Sequence, residues 1–332
     1  MKILGIETSC DETSVAVVRD GVEILSNVIA SQVDIHALTG GVVPEVAARK
    51  HVERLSVIIE EALGRAGIGY ADVDLVAVTN RPGLVGALMV GVSAGKALAY
   101  ALGKPIVAVH HLEGHIASNF LTVPDLHFPF VCLIVSGGHT DLHIVEGHGR
   151  RRRLGSTRDD AAGEAFDKAA RLLNLGYPGG PVIDRKAKEG NPQAVAFPRA
   201  WLEEGSYDFS FSGLKTALLR YVRQMGDSLN VADTAASFQE AIVDVLVGKT
   251  IRAAEESGIP RIAVCGGVAA NSRLKAVMSE EAGKRGYQLV IPPLILCTDN
   301  AAMIASAGYF HYITTGASEM NFDTIASEAL AG

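Results

Sequence analysis

Apolar positions in this chain fall into short unbroken runs that end in glycine or polar turns, with stretches of helical spacing between them. The first run predicts a strand over 4–8, a polar turn over 9–12 and a second strand over 13–18, together a hairpin. The same plan returns at 132–135, passes through Gly137-Gly138 and ends at 140–145, so that Ser9 lines up with Ser136 and Thr13 with Thr140. After the first hairpin the pattern predicts a helix over 43–64, a strand over 75–79, a Pro-Gly turn, a helix to about 102 and a strand over 106–109. After the second it predicts a helix over 234–257, a strand over 262–265, a helix over 271–283, a strand over 288–291 and a helix over 299–312.

Hairpin, helix, strand, helix and strand thus occur twice, which argues for two α/β halves of common design. A cleft between such halves is a natural place for a ligand. The expected boundaries are 1–109 for the first lobe, completed by a C-terminal helix over 300–332, and 110–299 for the second, which keeps an insert at about 150–230.

Composition narrows the class. The 332 residues are 48% hydrophobic and 20% charged, as in a globular protein large enough for two cores. A net charge of −7 gives no general attraction to nucleic acid or anionic membrane. The run Arg150 to Arg153, with Arg158 behind it, is the local exception, and it reads first as a solvated loop after the second hairpin. The four cysteines, Cys10, Cys132, Cys265 and Cys297, form no C-x-x-C pair, so neither a disulfide framework nor a zinc ribbon is expected. Acidic residues come too early after Met1 for a signal peptide, and the apolar stretch 83–103 is interrupted by Lys96 and rich in Gly, Ala and Ser. A buried helix, a cytoplasmic location and no membrane partner follow as expectations.

The candidate chemistry sits in a few motifs. The Gly137-Gly138 and Gly266-Gly267 turns each end a buried run, and such turns can present backbone N–H groups to an anion. His111 and His115 stand at i and i+4, on one face of a helix, where two imidazoles can share a cation or simply hydrogen-bond. His110 faces elsewhere and reads as structural. Asp299 opens the last helix; it is either an N-cap or a third ligand of an open metal site. The order H-E-x-x-H is absent, and the stretch Gly91 to Ala97 lacks the spacing and the Ser/Thr of a P-loop, so it reads as a small-residue packing face. The acidic run Asp159 to Asp167 is either a helix start or a substrate-facing set, and Tyr177-Pro178-Gly179-Gly180-Pro181 is a rigid turn that suits a ligand edge.

At this point a resemblance accumulates. It is carried by the stretches 5–13, 40–45, 82–88, 110–115, 135–140, 160–168, 177–181, 209–216 and 266–271, in order and across nearly the whole chain. The sequence resembles the TsaD family, bacterial relatives of the archaeal and eukaryotic Kae-type proteins. That resemblance implies an α/β fold of the actin/Hsp70/sugar-kinase (ASKHA) type, with duplicated RNase H-like domains and a nucleotide cleft between them. It implies transfer of a threonylcarbamoyl group from threonylcarbamoyl-AMP to N6 of the adenosine just 3′ of the anticodon in ANN-decoding tRNA. It implies iron or zinc on His111, His115 and Asp299. It implies substrate contacts at Ile134, Val135, Ser136, Gly137, Gly138, Asp167, Gly180, Asp184 and Asn271, with the adenylate, or ATP or ADP, as nucleotide. TsaB-like and TsaE-like proteins are the implied partners, beside tRNA. Asn80-Arg81 before Pro82-Gly83 and the Arg150 to Arg153 run depart from the family pattern.

Asp11, Glu12 and His139 are the candidate proton carriers, and the sequence does not choose among them. Three rivals stay open at this stage: a small-molecule kinase or ATPase of the same fold, a metallopeptidase, and a non-catalytic assembly partner. The histidine pair counts against the first, and the missing H-E-x-x-H counts against the second. The co-occurrence of metal ligands and ligand turns counts against the third.

Overall fold

A computed structural model describes residues 1–328 and 330. In chain order it contains β1 Lys2–Glu7, β2 Glu12–Arg19, β3 Glu23–Ser31, α1 Val33–Ala37, α2 Pro44–Ala66, β4 Leu75–Arg81, α3 Val85–Leu102, β5 Ile106–His110 and α4 His111–Thr122. There follow β6 Phe130–Val135, β7 Thr140–Gly147, β8 Arg150–Ser156, α5 Ala162–Leu172, α6 Gly179–Ala187, α7 Ser212–Met225 and α8 Val231–Ser257. The chain continues through β9 Arg261–Cys265, α9 Ser272–Arg285, β10 Gln288–Val290, α10 Leu294–Cys297 and α11 Ala301–Thr315.

These elements form two compact units. Unit 1 comprises residues 1–126, 148–150 and 292–332, and unit 2 comprises 127–147 and 151–291. The expected boundaries at 109/110 and 299/300 therefore differ from the observed ones, because α4 packs against α11 and the two helices stay together in unit 1. The insert at 150–230 lies almost wholly in unit 2. The last helix ends at Thr315, short of the expected 332, and residues 329, 331 and 332 lie outside the described residues.

Unit 1 holds a sheet of order β3-β2-β1-β4-β5. β1 runs antiparallel to β2 and parallel to β4, and β4 runs parallel to β5. Because side chains alternate along a strand, β1 feeds both layers: Leu4 and Ile6 pack with Leu55, Ile59 and Leu63 of α2, while Ile3 packs with Ala301, Ala305 and neighbours of α11. Burial on both faces explains the unbroken apolar run that marked this strand. Gly5 lies where α11 crosses: a Cβ there would sit 2.3 Å from the Ala301 carbonyl oxygen. The close approach fixes the start of α11, and with it Asp299, two residues before the helix.

α3 is the one described helix long and apolar enough to cross a membrane by length and composition alone. Its small residues do serve packing, as the sequence suggested: Gly91 lies against Thr8 and Gly95 against Val78. The opposite face, with Val85, Met89 and Tyr100, is exposed, so α3 is a half-covered surface helix and not the buried helix expected.

Unit 2 repeats the plan with the order β10-β9-β6-β7-β8. β6 is antiparallel to β7 and parallel to β9, and α8 packs against β6 and β9. Two strands were not anticipated. β3 extends the first hairpin, and β8 contains the arginine run expected as a loop. β8 is an edge strand on which Arg150, Arg152 and Arg153 are exposed, and charge on an edge opposes strand addition.

Candidate metal centre and ligand turns

β5 ends at His110, and α4 begins at His111. The His110 ring caps α4, its Nδ1 accepting from the Leu112 N–H at 3.2 Å. One turn on, Gly114 brings α4 against α11, for a Cβ there would stand 2.7 Å from Ile304 Cδ1. This contact holds His111 and His115 beside the start of α11.

The expected choice between cap and ligand at Asp299 resolves in the neighbouring residue. Asn300 is the N-cap of α11: its Oδ1 accepts from Met303 N–H at 3.1 Å, and its Nδ2 donates to the Thr298 carbonyl at 2.8 Å. Asp299 is thereby released from capping. Its Oδ1 lies 3.4 Å from Nε2 of His111 and 3.4 Å from Nε2 of His115. The two rings meet edge-on with centroids 4.7 Å apart.

This donor set fits a cation. One ligand atom from each of the three residues lies within 4.8 Å of the other two. A tetrahedral ion with bonds of ~2.1 Å would place neighbouring donors about 3.4 Å apart. The His115 ring is fully buried, and among the described residues neither nitrogen makes a well-aligned hydrogen bond, Nε2 meeting the Asp299 carboxylate at 3.4 Å. A buried polar group left without a partner is costly, and a metal bond would remove that cost. Two imidazoles and one carboxylate suit iron or zinc and leave positions open.

Sequence reasoning missed the residue behind the pair. Glu7, fully buried at the end of β1, places Oε2 3.1 Å from His111 Nδ1. It also accepts from Thr79 Oγ1 at 2.6 Å and from the Ser9 N–H at 2.5 Å. Such a carboxylate holds the Nδ1 proton of the ring and turns the Nε2 lone pair toward a metal. The available signal was a lone acid closing the apolar run Ile3-Leu4-Gly5-Ile6.

Electrostatics point the same way. Burial opposes charge on His111, but Asp299 and Glu7 outweigh it and raise the ring well above the ordinary histidine range. Burial likewise opposes charge on Asp299, and His111 and His115 hold it well below the carboxylate range. Burial is the main cause that lowers His115. The pocket therefore favours one positive charge between two carboxylates.

Of the candidate proton carriers, Asp11 and Glu12 belong to unit 1 with this triad, and His139 belongs to unit 2. The Glu12 carboxyl is pushed up to about 9, by burial first and then by Asp299 and Asp11.

The other expected contacts gather at one end of the unit 2 sheet. Ile134 and Val135 are fully buried in β6, so only their backbone is open to a ligand. Ser136 and His139 close a turn through Ser136 N–H to the His139 carbonyl at 2.8 Å. Gly137 and Gly138 within it are exposed, have open space where a Cβ would stand and do not adopt positive φ. The expected nest thus does not depend on left-handed glycines here. Gly266 does need glycine: its φ is +92° and a Cβ would meet the Val135 carbonyl oxygen at 2.4 Å. Gly163 N–H donates to the Ser136 carbonyl at 3.1 Å, which brings the start of α5 to the same turn.

Side chains in this group are already engaged. Asp167 Oδ1 accepts from the Gly179 N–H at 2.7 Å, at the start of α6, and Gly180 beside it is unobstructed. Asp184 Oδ1 accepts from Ser272 Oγ at 2.7 Å and from its N–H at 3.2 Å. Asn271 caps α9 through Leu274 N–H at 2.9 Å and donates to Gln239 Oε1 at 2.7 Å. The turns after β6 and β9 and the starts of α5, α6 and α9 thus form one rim at the carboxyl ends of parallel strands, where α/β sheets bind ligands.

Comparison with known proteins gives the family and the fold. Residues 23–306 match the family model described as TsaD, tRNA N6-adenosine threonylcarbamoyltransferase. A protein of that name from Desulfitobacterium hafniense is 55% identical over 334 residues, covering 100% of this chain and 98% of the relative. Another from Clostridioides difficile is 54% identical over 325 residues, covering 97% and 96%. Among solved structures, component A of (R)-2-hydroxyglutaryl-CoA dehydratase from Acidaminococcus fermentans is similar with a TM-score of 0.56 at 16% identity, covering 94% of this chain and 98% of that one. Full-length HypF in a phosphate- and nucleotide-bound form gives 0.63 at 13% identity, covering 96% and 56%. Both share the two-lobed ASKHA fold.

Proposed function

The chain belongs to the TsaD family of tRNA N6-adenosine threonylcarbamoyltransferases, and we propose that it carries a threonylcarbamoyl group from threonylcarbamoyl-AMP to the adenosine just 3′ of the anticodon. The observation that carries the site assignment is His115, buried with neither nitrogen in a well-aligned hydrogen bond among the described residues and, like His111, with Nε2 3.4 Å from Asp299 Oδ1.

In this reading His111, His115 and Asp299 hold iron or zinc. When bound there, the ion supplies a Lewis acid and a template for the threonylcarbamoyl group. Glu7 keeps the His111 proton on Nδ1. In unit 2, the Ser136 to His139 turn takes the phosphate of the adenylate on backbone N–H groups, and the Gly266 to Asn271 turn lines the adenosine. Asp167, Asp184 and Asn271 act chiefly by holding the rim in shape, since their side chains bond to the elements that form it.

The exocyclic amine of adenine is a weak nucleophile, and the donor is a mixed anhydride with a good leaving group. Positioning is therefore the main task. The amine nitrogen bonds to the carbamoyl carbon, the bond from that carbon to the phosphate oxygen breaks, AMP leaves and one proton is lost from the amine. Asp11, Glu12 and His139 remain the groups able to carry that proton.

We assign the work to the cytoplasm and to a complex with TsaB-like and TsaE-like partners. The exposed, uncharged face of α3 with Val85, Met89 and Tyr100 is the surface this reading offers to a protein partner. The test mixes the chain with threonylcarbamoyl-AMP, carrying labelled threonine, and unmodified tRNA, with and without those partners. Label in tRNA supports the reading. Label that stays in the adenylate under all conditions, despite bound metal, rejects it.

A further inference from the structure

Beyond α11, residues 316–328 return along unit 1 as a strap. The Ser318 N–H donates to the Ile106 carbonyl at 2.8 Å and its Oγ accepts from the Ala108 N–H at 3.0 Å, so the strap lies on the open edge of β5. Phe322 sits beneath the Lys96 ammonium, 4.4 Å from ring centroid to Nζ. Asn80 Nδ2 donates to the Asp323 carbonyl at 2.9 Å, Ile325 N–H to the Asn80 carbonyl at 3.0 Å and Gly83 N–H to the Ala326 carbonyl at 3.1 Å. The strap ends on the turn after β4 and on the last residue of β5. There the Glu328 carboxylate lies 2.6 Å from Arg81 Nε, and the Glu328 carbonyl lies 3.3 Å from His110 Nε2.

That last contact matters because of what His110 does. Its Nδ1 accepts the Leu112 N–H and so caps α4, the helix that begins with His111. An accepting Nδ1 requires the ring proton on Nε2, since a neutral imidazole has one donor and one acceptor. A backbone carbonyl can only accept. The Glu328 carbonyl therefore selects the Nε2–H tautomer, and in that tautomer the Nδ1 lone pair is the cap.

We propose that Glu328 is a positioning residue for the metal centre: its main chain fixes the His110 tautomer, which caps α4 and holds the His111/His115 pair in register with Asp299. The proposal rests on the metal reading above. Its distinguishing consequence is that a cap with no tautomer to select makes the strap dispensable. Asparagine is such a cap, because its side-chain oxygen accepts from the helix N–H without a proton choice.

The experiment measures zinc affinity by competition with a chromophoric chelator. It compares the full chain with a chain ending at Ser327, each with His110 and with His110→Asn. With His110, truncation should weaken zinc binding by ~10-fold, the scale of lost outer-shell support. It should also lower kcat while leaving the KM for tRNA unchanged. With His110→Asn, truncation should leave zinc affinity unchanged. Arg81→Met, which loosens the Glu328 anchor in the intact chain, should shift affinity in the same direction by a smaller factor, again only with His110. It keeps the test open if the shortened chain fails to fold. Equal loss in both backgrounds would reduce the strap to a general stabiliser and overturn the proposal, as would no loss in either. If the full chain binds zinc no better than its His111→Ala variant, the metal reading itself falls, a failure seen before any truncation is compared.

Discussion

Glu7 and His111 form a buried carboxylate–imidazole pair, Oε2 to Nδ1 at 3.1 Å, on the side of the ring away from Asp299. Three donors converge on Glu7: Ser9 N–H, Thr79 Oγ1–H and His111 Nδ1–H. Glu7→Gln keeps the shape but must present an amide N–H₂ to one of them. It also removes the charge that favours a cation nearby. The expected result is a 10- to 100-fold loss of metal affinity, roughly the cost of losing outer-shell support, read by chelator competition with the far-UV spectrum unchanged.

Gly5→Ala should damage fold and site together. The new methyl would lie 2.3 Å from the Ala301 carbonyl and 2.9 Å from Ala305 Cβ, and backbone at that distance must move. A loss of about 1–3 kcal/mol in unfolding free energy is expected, as for overpacking elsewhere. Because Asp299 lies two residues before α11, metal affinity should fall as well. Denaturation curves and metal titration of the same preparation check both.

His143, wholly buried on β7, has no hydrogen-bond partner at either ring nitrogen among the described residues. Burial first, and then Arg153, lowers its pKa to about 4. In the unfolded chain the ring takes up a proton near the usual ~6.5. Between those values the unfolded state binds more protons, so this residue makes the fold lose stability as pH falls from about 6.5 to about 4. His143→Leu should remove that slope, stabilising the chain at pH ~5 by an amount on the order of 1–3 kcal/mol relative to its effect at pH ~7. Urea midpoints at the two pH values measure it.

Asn271 is assigned to the nucleotide rim but also caps α9. Asn271→Asp keeps an accepting oxygen for Leu274 N–H and loses the donor to Gln239 Oε1, which a turn of the Gln239 amide restores, so it should cost less than Asn271→Ala, at about 1 kcal/mol for the lost cap. If the residue held the nucleotide through its amide alone, the two variants would be equally stable in thermal unfolding.

The duplicated order of elements was readable because β1 and β6 are buried on both faces and so appear as unbroken apolar runs. β8 was hidden for the opposite reason. An edge strand needs no apolar face, so Arg150 to Arg153 carried the pattern of a loop. The histidine pair was visible from its spacing alone. Asp299 was named as the third ligand but its position could not separate that role from an N-cap, since Asp before a helix is the usual cap, and only the structure shows Asn300 taking that role. Glu7 is distant in sequence from the histidine it orients, and no local pattern links them. The boundaries near 110 and 299 failed to show because the packing of α4 on α11 joins segments far apart in the chain.

The central claim is that His111, His115 and Asp299 together hold the metal used in transfer. Metal analysis of anaerobically purified protein, paired with the transfer assay, tests it most directly. Wild type should carry one iron or zinc per chain, while His115→Ala and Asp299→Ala should carry none and transfer no threonylcarbamoyl group. Variants that keep a full complement of metal, or that reach the wild-type rate without it, would contradict the account.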